Sequence, residues 1–529
     1  MIFRIFIKKR TFLNTKTIRF LHSTVIMAKS LRFRVARIPI LSHQTKKKKN
    51  INQLFPKSRK EKSMNNYVTP NDVGIIAETD SKSINNAVLE AVKSGKRRVV
   101  IPRVNERTGK EQWDIAEAII LYSNIEIVLD NCYIRQIDGS IDNVFRNFDD
   151  DEVRSTLEEE QENIVIRGVG NAIIDGGNMN GLIEDTSSKN GFPHVEKNNV
   201  IRLHNLRGLK LLDFTILNQR WWAINLHYVE EALISGLKII CGPDVPNQDG
   251  IDIRSGCNNI VIKDIFGQSG DDFIALSGFY GSRESDKYAV VGKSIDIHDI
   301  VIKNIVATSS DCATVALRNH DGVKIYNITI DTVHDTIPSK IIADKEPRFF
   351  NKFEFNTYKS PKSPYATVRI GQDNYIHTRS CASGEIFGLH VTNIHSRINT
   401  AVMINVNLEN SYFGNIYATN EVDRVISTGS CSLHHNFGAD LKNVVFENIF
   451  YNCMDNENSV ALDFDVNNRD HTMNNVFVRN AFIGNASCAV NMKHKGSLKI
   501  SNLCSDNASA KINVSENSEL FIDGNLYKS

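Results

Sequence analysis

Four aspartates in one stretch of the chain have the residue type and the spacing for acid–base chemistry. Residues 247–278 read NQDGIDIRSGCNNIVIKDIFGQSGDDFIALSG and hold Asp249 with Asp252, then Asp271 with Asp272. Neighbouring carboxylates repel each other, so we expect at least one raised pKa. A protonated acid beside an ionised one can cleave a glycosidic bond, because one donates a proton to the leaving oxygen while the other activates water or attacks directly.

Two other interpretations of these acids stay open. Asp-Gly is common in tight turns, which would make a single cluster structural. Four aspartates with nearby carbonyls can also supply the oxygen ligands of Ca²⁺. Two clusters about one repeat apart favour a functional site. We predict that this site holds no metal ion.

A recurring β-branched and aromatic segment organises the rest of the chain. Successive copies start 22 or 23 residues apart in three cases and further apart elsewhere, and each alternates like a strand. A strand repeat of this length predicts a solenoid in which stacked coils bury a shared core. The segments begin at Leu209, Ala232, Ile260, Ile300, Val323, Leu389, Ser411, Val444 and Val476.

Polar residues recur at nearly the same place in each segment. Asn tolerates left-handed backbone and bonds to neighbouring backbone groups, so stacked coils would align these residues as one ladder at a turn. An ordinary β-sandwich with turn asparagines is the alternative, which the repeat length argues against. The predicted ladder comprises Asp213, Asp264, Asn304, Asn327, Asn393, Asn415, Asn448 and Asn480.

The start of the repeat region is predicted to be helical. Ser81–Pro102 opens with polar capping residues, carries Ile84, Val88 and Val92 at helical spacing, and reaches a helix-ending glycine before a short strand. A short amphipathic helix here would cover the open end of the solenoid, where an uncovered strand promotes aggregation.

The repeat predicts that the two acid clusters meet. Asp249 precedes Asp271 by 22 residues, and Asp252 precedes Asp272 by 20. Both intervals match one coil, and adjacent strands lie about 4.8 Å apart. The clusters should therefore lie side by side on one face.

NQDGID followed by SGDD resembles the paired signature of glycoside hydrolase family 28, the polygalacturonases and their relatives in the pectin lyase-like superfamily. The segment NDVGIIAETDSKSINNAVLEAV also resembles that family's capping region, and the similarity spans about residues 66–500. The resemblance implies an all-β, single-stranded, right-handed parallel β-helix with a short N-terminal capping helix. We predict this domain over residues 64–529.

The resemblance also implies roles for individual residues. Asp271 would be the general acid, and Asp249 and Asp272 would hold the water of an inverting hydrolysis that needs no cofactor. Asn247 would shape the turn that presents Asp249. Asp252 is placed with the substrate-binding residues, with a purely structural role as the alternative.

The chain departs from the family pattern at several positions. Phe273 stands where the family has Cys, and the Gly-His-Gly of the next coil is missing, with His298 and His320 as candidate replacements. The family's Arg-x-Lys pair, which grips a uronate carboxylate, is also incomplete. Arg318 and Arg369 are the candidates for that function.

Residues one coil before Asp249 are further candidates for substrate binding. Arg220 can bind a uronate carboxylate and Trp222 can stack on a sugar ring; the alternative places the tryptophans in the core. Trp221 and Trp222 are adjacent, so strand alternation predicts that one of them points outward. The insertion Ile337–Pro364 would wall the cleft, which would favour attack at chain ends.

Charge divides the chain into two parts. Residues 1–63 hold eighteen Lys or Arg and one Glu, a net charge of +17, whereas the remainder holds 45 basic and 60 acidic residues, a net charge of −15. The basic part fits a secretory signal poorly; a disordered or mis-annotated leader, a transit peptide and a nucleic-acid-binding tail stay open. We expect a cytoplasmic location slightly more than a secreted or organellar one.

The expected partner is a pectic or other uronate-containing carbohydrate, with neither a membrane nor a nucleic acid. Nine cysteines without a CxxC pair are expected to be reduced core residues. The predicted activity is hydrolysis of galacturonate-containing poly- or oligosaccharides. A lyase or epimerase on the same fold and a non-catalytic carbohydrate-binding β-helix are the alternatives, and the oligomeric state is left open.

Overall fold

A computed structural model describes most of the chain from residue 66 onward. The basic leader, His320 and the insertion Ile337–Pro364 lie outside the described residues, and the domain boundary at Met64 stays a prediction. Within the described part, no helix combines the length and the apolar character needed to cross a membrane. The described residues are 66–147, 159–177, 195–241, 247–278, 289–309, 312–319, 322–335, 366–371, 384–397, 400–420, 424–428, 439–453, 459–465, 471–506 and 510–528.

The predicted helix is present at the start of the domain. A single turn, α1 (Pro70–Val73), precedes α2 (Asp80–Lys93). The Thr79 side chain accepts a hydrogen bond from the Lys82 backbone N–H at 3.1 Å and so caps the N-terminus of α2. One face of α2, including Ile84 and Val88, is buried in the core. The helix therefore covers apolar surface at the beginning of the sheet, as predicted.

The described residues after α2 form 31 strands joined in one sheet, with a short 3-10 helix at Val195–Asn198. All pairings are parallel except that of β30 with β31. The strands up to the site are β1 (Arg98–Pro102), β2 (Trp113–Ile115), β3 (Ile119–Ile120), β4 (Ile125–Asp130), β5 (Tyr133–Gln136), β6 (Phe145–Arg146), β7 (Gln161–Val169), β8 (Ile173–Asp175), β9 (Ile201–Leu212), β10 (Thr215–Leu217), β11 (Ile224–Ser235), β12 (Lys238–Ile240), β13 (Ile251–Arg254), β14 (Asn258–Ser269) and β15 (Ile274–Gly278).

The remaining strands continue the same stacking to the end of the chain. They are β16 (Ile297–Ser309), β17 (Ala313–Asn319), β18 (Ile325–Asp335), β19 (Ala366–Ile370), β20 (Ile386–Ser396), β21 (Thr400–Ile404), β22 (Leu408–Asn420), β23 (Ile426–Thr428), β24 (Leu441–Cys453), β25 (Val460–Phe464), β26 (Thr472–Gly484), β27 (Cys488–Met492), β28 (Lys495–Ser505), β29 (Lys511–Val514), β30 (Ser518–Ile522) and β31 (Asn525–Tyr527).

Two alternating sets of strands build each coil. Long strands β14, β16, β18 and β20 pair with one another, and short strands β13, β15, β17 and β19 pair with one another. A strand that pairs with its counterpart one coil away, rather than with the next strand in sequence, is the arrangement of a parallel β-helix. The predicted fold class is therefore confirmed.

Aligned aliphatic residues fill the interior of the β-helix. Ile260, Ile300 and Ile328 are register partners on consecutive coils, and all three are fully buried. Burial of one isoleucine side chain contributes roughly 1.5–3 kcal/mol. Buried residues of successive coils pack together in this way, so the core runs from α2 to β30 as one cluster.

Ladders of asparagine mark the bends between faces. Asn448 donates to the Asn415 side-chain oxygen at 3.0 Å, and Asn480 donates to that of Asn448 at 3.0 Å. These residues have φ near +55°, the left-handed region that Asn tolerates better than most other residues. The predicted ladder is therefore present over these coils.

The long strands bend twice in each coil, so there are two ladders where the sequence predicted one. Asn327 belongs to the second, in which Asn443 and Asn475 also bond to each other at 2.9 Å. Its place in the predicted ladder is taken by Thr332, which lies between Asn304 and Asn393 in the register and has φ +62°. The placement of Asn327 was wrong because both bends carry the same residue type.

Candidate active site

The register of β13 and β15 brings the two acid clusters together. Ile251 is opposite Ile274, and the Gly250 N–H donates to the Asp272 carbonyl at 3.0 Å. This 23-residue offset places Asp249 beside Asp272 on the neighbouring coil. The same offset places Asp252 opposite Ala275.

Gly250 allows the two coils to approach at this point. A Cβ on Gly250 would lie 2.3 Å from the carbonyl oxygen of Phe273, which belongs to the backbone of the next coil. Any side chain would therefore push the coils apart where the acids meet. The Asp-Gly pair serves close packing here as well as turn formation.

Asp271 lies at the outer edge of the cluster. Its two carboxylate oxygens accept the backbone N–H groups of Asn247 at 3.2 Å and Asp272 at 2.8 Å. Its carbonyl accepts the hydroxyls of Ser269 at 2.5 Å and Ser309 at 2.7 Å. Asp271 is partly exposed whereas Asp249 and Asp272 are buried, so it is the most accessible of the three.

Asp272 is fully buried between donors. Its carboxylate accepts the Ala313 N–H at 2.9 Å and Arg318 Nη1 at 3.3 Å. Burial raises the pKa of Asp272, and the charge of Asp271 adds to the rise. Arg369 and Arg318 oppose that rise, and the net shift of the pKa is upward.

Asp249 is 1% exposed, and its Oδ1 atom accepts no hydrogen bond within the described part of the chain. Burial raises the pKa of Asp249 well above the ordinary value, and the charges of Asp252, Asp271 and Asp272 raise it further. Arg318 opposes this rise only in part. The surroundings of Asp249 therefore favour the neutral form of its carboxyl.

The raised pKa values belong to the two acids that the resemblance associates with the water. This ionisation pattern fits the prediction that mutual repulsion raises at least one pKa. The roles of Asp249, Asp271 and Asp272 stay predictions.

Two arginines on the next coils complete the charge pattern. Ser277 is opposite Arg318, and Ala275 is aligned with Ala316 and then with Arg369. Arg369 is 3% exposed; burial opposes its charge, but Asp272 and its neighbours outweigh burial and keep the pKa raised. Both predicted arginines therefore lie beside the acids.

Asp252 and Asn247 occupy different places around this cluster. Asp252 is fully buried, aligned with Asn225 on one side, and its charge contributes to the raised pKa of Asp249. Asn247 takes φ +57° and presents its backbone N–H to Asp271. Asn247 thus contacts an acid through its backbone, in keeping with the turn role expected of it.

The structure does not bring Arg220 to the acids. Its guanidinium donates to backbone carbonyls of Ser140 and Ile137, the latter at 2.7 Å, and it is fully buried. Burial lowers the pKa of Arg220 to about 10, which leaves it charged at neutral pH. These bonds occupy the group that was expected to hold a uronate carboxylate.

Both tryptophans are buried, so the expectation that one points outward was wrong. Trp221 is 3% exposed and Trp222 is 2% exposed. They precede β11 in a bend, where strand alternation does not apply. The Arg254 guanidinium lies 5.0 Å from the Trp222 ring centre, a cation–π contact that covers one ring face.

His298 is not at the acid cluster. It lies in β16, pairs its Nδ1 with an Asp299 carboxylate oxygen at 2.7 Å and stacks on Tyr326 at 4.9 Å. Its register partners belong to the long-strand face, which does not include β13 or β15. His298 therefore does not replace the missing histidine.

Cys312 is the site residue that the sequence analysis missed. Its Sγ atom and carboxylate oxygens of Asp271 and Asp272 all lie within 4.8 Å of one another. The pairing of β15 with β17 aligns Cys312 with Asp271, one coil later. Cys132, Cys241, Cys257 and Cys488 are buried as expected, but Cys312 is partly exposed and Cys504 is exposed.

The segment that contains the acids matches a known protein family. Residues 147–284, which include all four aspartates, match the model of the family "Glycosyl hydrolases family 28". The resemblance to family 28 is therefore confirmed. A probable polygalacturonase from Vitis vinifera is 29% identical over 125 residues. This match covers 24% of the present chain and 24% of that relative.

Solved structures with a similar course of the chain include two exopolygalacturonases. An exopolygalacturonase from Thermotoga maritima is 15% identical, with 87% of this chain and 92% of that chain covered at a TM-score of 0.42. A family 28 exopolygalacturonase from Yersinia enterocolitica is 14% identical, with 87% of this chain and 79% of that chain covered at a TM-score of 0.47.

A third similar structure has a different activity in its description. The A-module of the mannuronan C-5 epimerase AlgE6 from Azotobacter vinelandii is 11% identical, with 86% of this chain and 99% of that chain covered at a TM-score of 0.47. The assignment of the β-helix depends on none of these three, because it follows from the strand register.

Proposed function

We propose that the protein is a glycoside hydrolase that cleaves glycosidic bonds in galacturonate-containing poly- or oligosaccharides. One observation carries the proposal. Asp249 and Asp272 are brought side by side, with Asp271 at their accessible edge, inside the segment that matches family 28. Paired carboxyl groups of unlike ionisation are the machinery that glycoside hydrolysis requires.

The three acids divide the chemistry by their accessibility. Asp271 is the least buried, so it is the group that can contact a glycosidic oxygen and donate the proton to it. Asp249 and Asp272 lie behind it and position the attacking water. Attack by water opposite the leaving oxygen inverts the anomeric carbon.

Two arginines provide the preference for an acidic sugar. Arg318 lies 3.3 Å from Asp272, and Arg369 is close enough to lower the pKa of the same carboxyl. Both arginines therefore lie at the acid cluster, where a uronate carboxylate of the substrate would meet them. Arginine suits this purpose because its planar guanidinium can bind a carboxylate through two parallel hydrogen bonds.

Reducing-end release from polygalacturonate and pectic oligosaccharides tests the proposal. The full chain is assayed beside Asp271→Asn, with and without a chelator. We expect release that the chelator leaves unchanged and that the variant loses by at least about 100-fold. Equal release by the variant, or none by the parent chain on any pectic substrate, would refute the proposal.

The same assay separates hydrolysis from elimination. A lyase would leave an unsaturated sugar that absorbs in the ultraviolet, and a calcium-dependent one would stop when the chelator is added. Asp271→Asn retains the shape of the side chain, so circular dichroism should show an unchanged fold. Unsaturated product from the parent chain would assign the acids to a lyase.

A further inference from the structure

Cys312 extends the acid cluster by a ligand of different chemistry. Its Sγ atom lies within 4.8 Å of carboxylate oxygens from both Asp271 and Asp272. The Cys312 backbone N–H donates to the Ser309 hydroxyl at 2.9 Å, and that hydroxyl donates to the Asp271 carbonyl at 2.7 Å. The thiol and the two acids are therefore held by one hydrogen-bonded turn.

A buried oxygen beside these ligands is a second, independent observation. Asp249 lies beside Asp272 by register, is 1% exposed, and its Oδ1 accepts no hydrogen bond from any described residue. A buried oxygen without a donor is costly, and a cation bound next to it reduces that cost.

We propose that Cys312, Asp271 and Asp272 form a binding site for a thiophilic divalent cation such as Zn²⁺ or Cd²⁺, next to the buried Asp249. Thiolate with carboxylate is a donor set that these ions accept, whereas Ca²⁺ and Mg²⁺ take oxygen ligands alone. Ligands of a tetrahedral zinc lie roughly 3.5 Å apart. The three ligand atoms lie within 4.8 Å of one another, so side-chain rotations can bring them onto one ion.

The charge of the ligands favours a divalent ion. Asp271, Asp272 and the Cys312 thiolate carry three negative charges when they are ionised, and Arg318 and Arg369 offset part of that charge. Binding must displace the thiol proton, which leaves to solvent, so affinity should fall as pH is lowered.

Occupancy of this site has a consequence for the proposed hydrolysis. The cation would engage the acids that the reaction uses, so Zn²⁺ should inhibit and a chelator should restore activity. A calcium-dependent lyase would instead lose activity when the chelator is added. The inhibition depends on the proposed function, but binding of the cation does not.

Cadmium titration of the full chain provides a test that needs no activity. Thiolate ligation of Cd²⁺ gives an ultraviolet charge-transfer absorption, and Cys312→Ser removes the ligand with little change of volume. Cys504→Ser is the matched control, because Cys504 is exposed and absent from the cluster. Circular dichroism of each variant verifies the fold.

We expect one tight Cd²⁺-dependent band that Cys504→Ser keeps and Cys312→Ser loses, together with a fall in Zn²⁺ affinity of more than about 100-fold. An unchanged band and affinity in Cys312→Ser would overturn the site, as would a parent chain that binds neither ion. Binding without pectic hydrolysis would refute the proposed function alone. Hydrolysis without binding would refute this inference alone.

Discussion

Replacement of Arg318 by methionine should destabilise the protein by an amount that depends on pH. Arg318 Nη1 lies 3.3 Å from Asp272 Oδ2, and the two side chains are 8% and 0% exposed. At an effective dielectric constant of about 20, this separation corresponds to roughly 5 kcal/mol of attraction. Arg369 remains close to Asp272 in the variant, so we expect a loss of about 3 kcal/mol near pH 8, within the range for a broken buried pair.

The pH dependence follows from the pKa of Asp272. Burial raises this pKa above its ordinary value of 3.8, while Arg369 and Arg318 hold it down. Loss of Arg318 allows a further rise. A carboxyl with a raised pKa costs no stability below its unfolded pKa and destabilises the fold as pH increases through the folded pKa. The difference between variant and parent should therefore nearly vanish below 3.8 and be largest above the variant's folded pKa.

Urea unfolding followed by circular dichroism measures this difference at several pH values. Arg103→Met is the control, because Arg103 pairs with Glu111 at 2.7 Å but both side chains are more than half exposed. Such a surface pair contributes under about 1 kcal/mol. An equal loss in Arg318→Met at low and high pH would mean that lost packing dominates. A loss no greater than that of the control near pH 8 would refute the electrostatic reasoning.

Three further predictions concern the coil contact, the reaction and the ladder. Gly250→Ala should lower the free energy of unfolding by about 2–4 kcal/mol, measured by urea unfolding, because its Cβ meets the Phe273 carbonyl at 2.3 Å; an unchanged free energy of unfolding would refute this contact. The first sugar released from a pectic oligosaccharide should have the inverted anomeric configuration by NMR, and retention would exclude the proposed water attack. Asn448→Ala should lower the free energy of unfolding by about 1–2 kcal/mol in the same assay, because it places alanine at a left-handed position and breaks the hydrogen bonds to Asn415 and Asn480. An unchanged free energy of unfolding would mean that the ladder does not stabilise the fold.

The fold was predictable because its signal repeats. Ile260, Ile300 and Ile328 show the same alternation coil after coil, so errors in one copy do not matter. The two ladders were not separable, because both bends of a long strand use Asn at positive φ. Asn327 and Thr332 lie five residues apart in the same strand, and only the register says which of them continues which ladder.

The candidate site was predictable in outline and not in detail. Counting residues along the chain predicted that the two clusters are neighbours, but it did not give the 23-residue register that places Asp249 beside Asp272 and Asp252 opposite Ala275. Insertions between coils change the interval without changing the register. Residue counting therefore identifies neighbouring coils but cannot fix side-by-side partners.

Residue counting also failed to place Cys312 at the site. Its distance of 41 residues from Asp271 exceeds the ordinary repeat, so nothing in the spacing relates the two residues. Its type also misled, because cysteine is usually a small core residue. The signal that could have found it is positional: the strand that follows Cys312 stacks directly on the strand that follows Asp272.

The composition of the outer face explains why the charges gather at these coils. The residues of β15 and β17 that point away from the core between Asp252 and Arg369 are small, with Ala275 and Ala316 in line and Ser277 beside them. Asp252 and Arg369 are three strands apart, roughly 14 Å, and side chains this short leave that interval free of bulk. Larger residues there would separate Arg369 from Asp272 and remove one of the two cations that lower the pKa of this buried carboxyl. The small residues therefore permit the acids and arginines to share one site, which neither cluster specifies by itself.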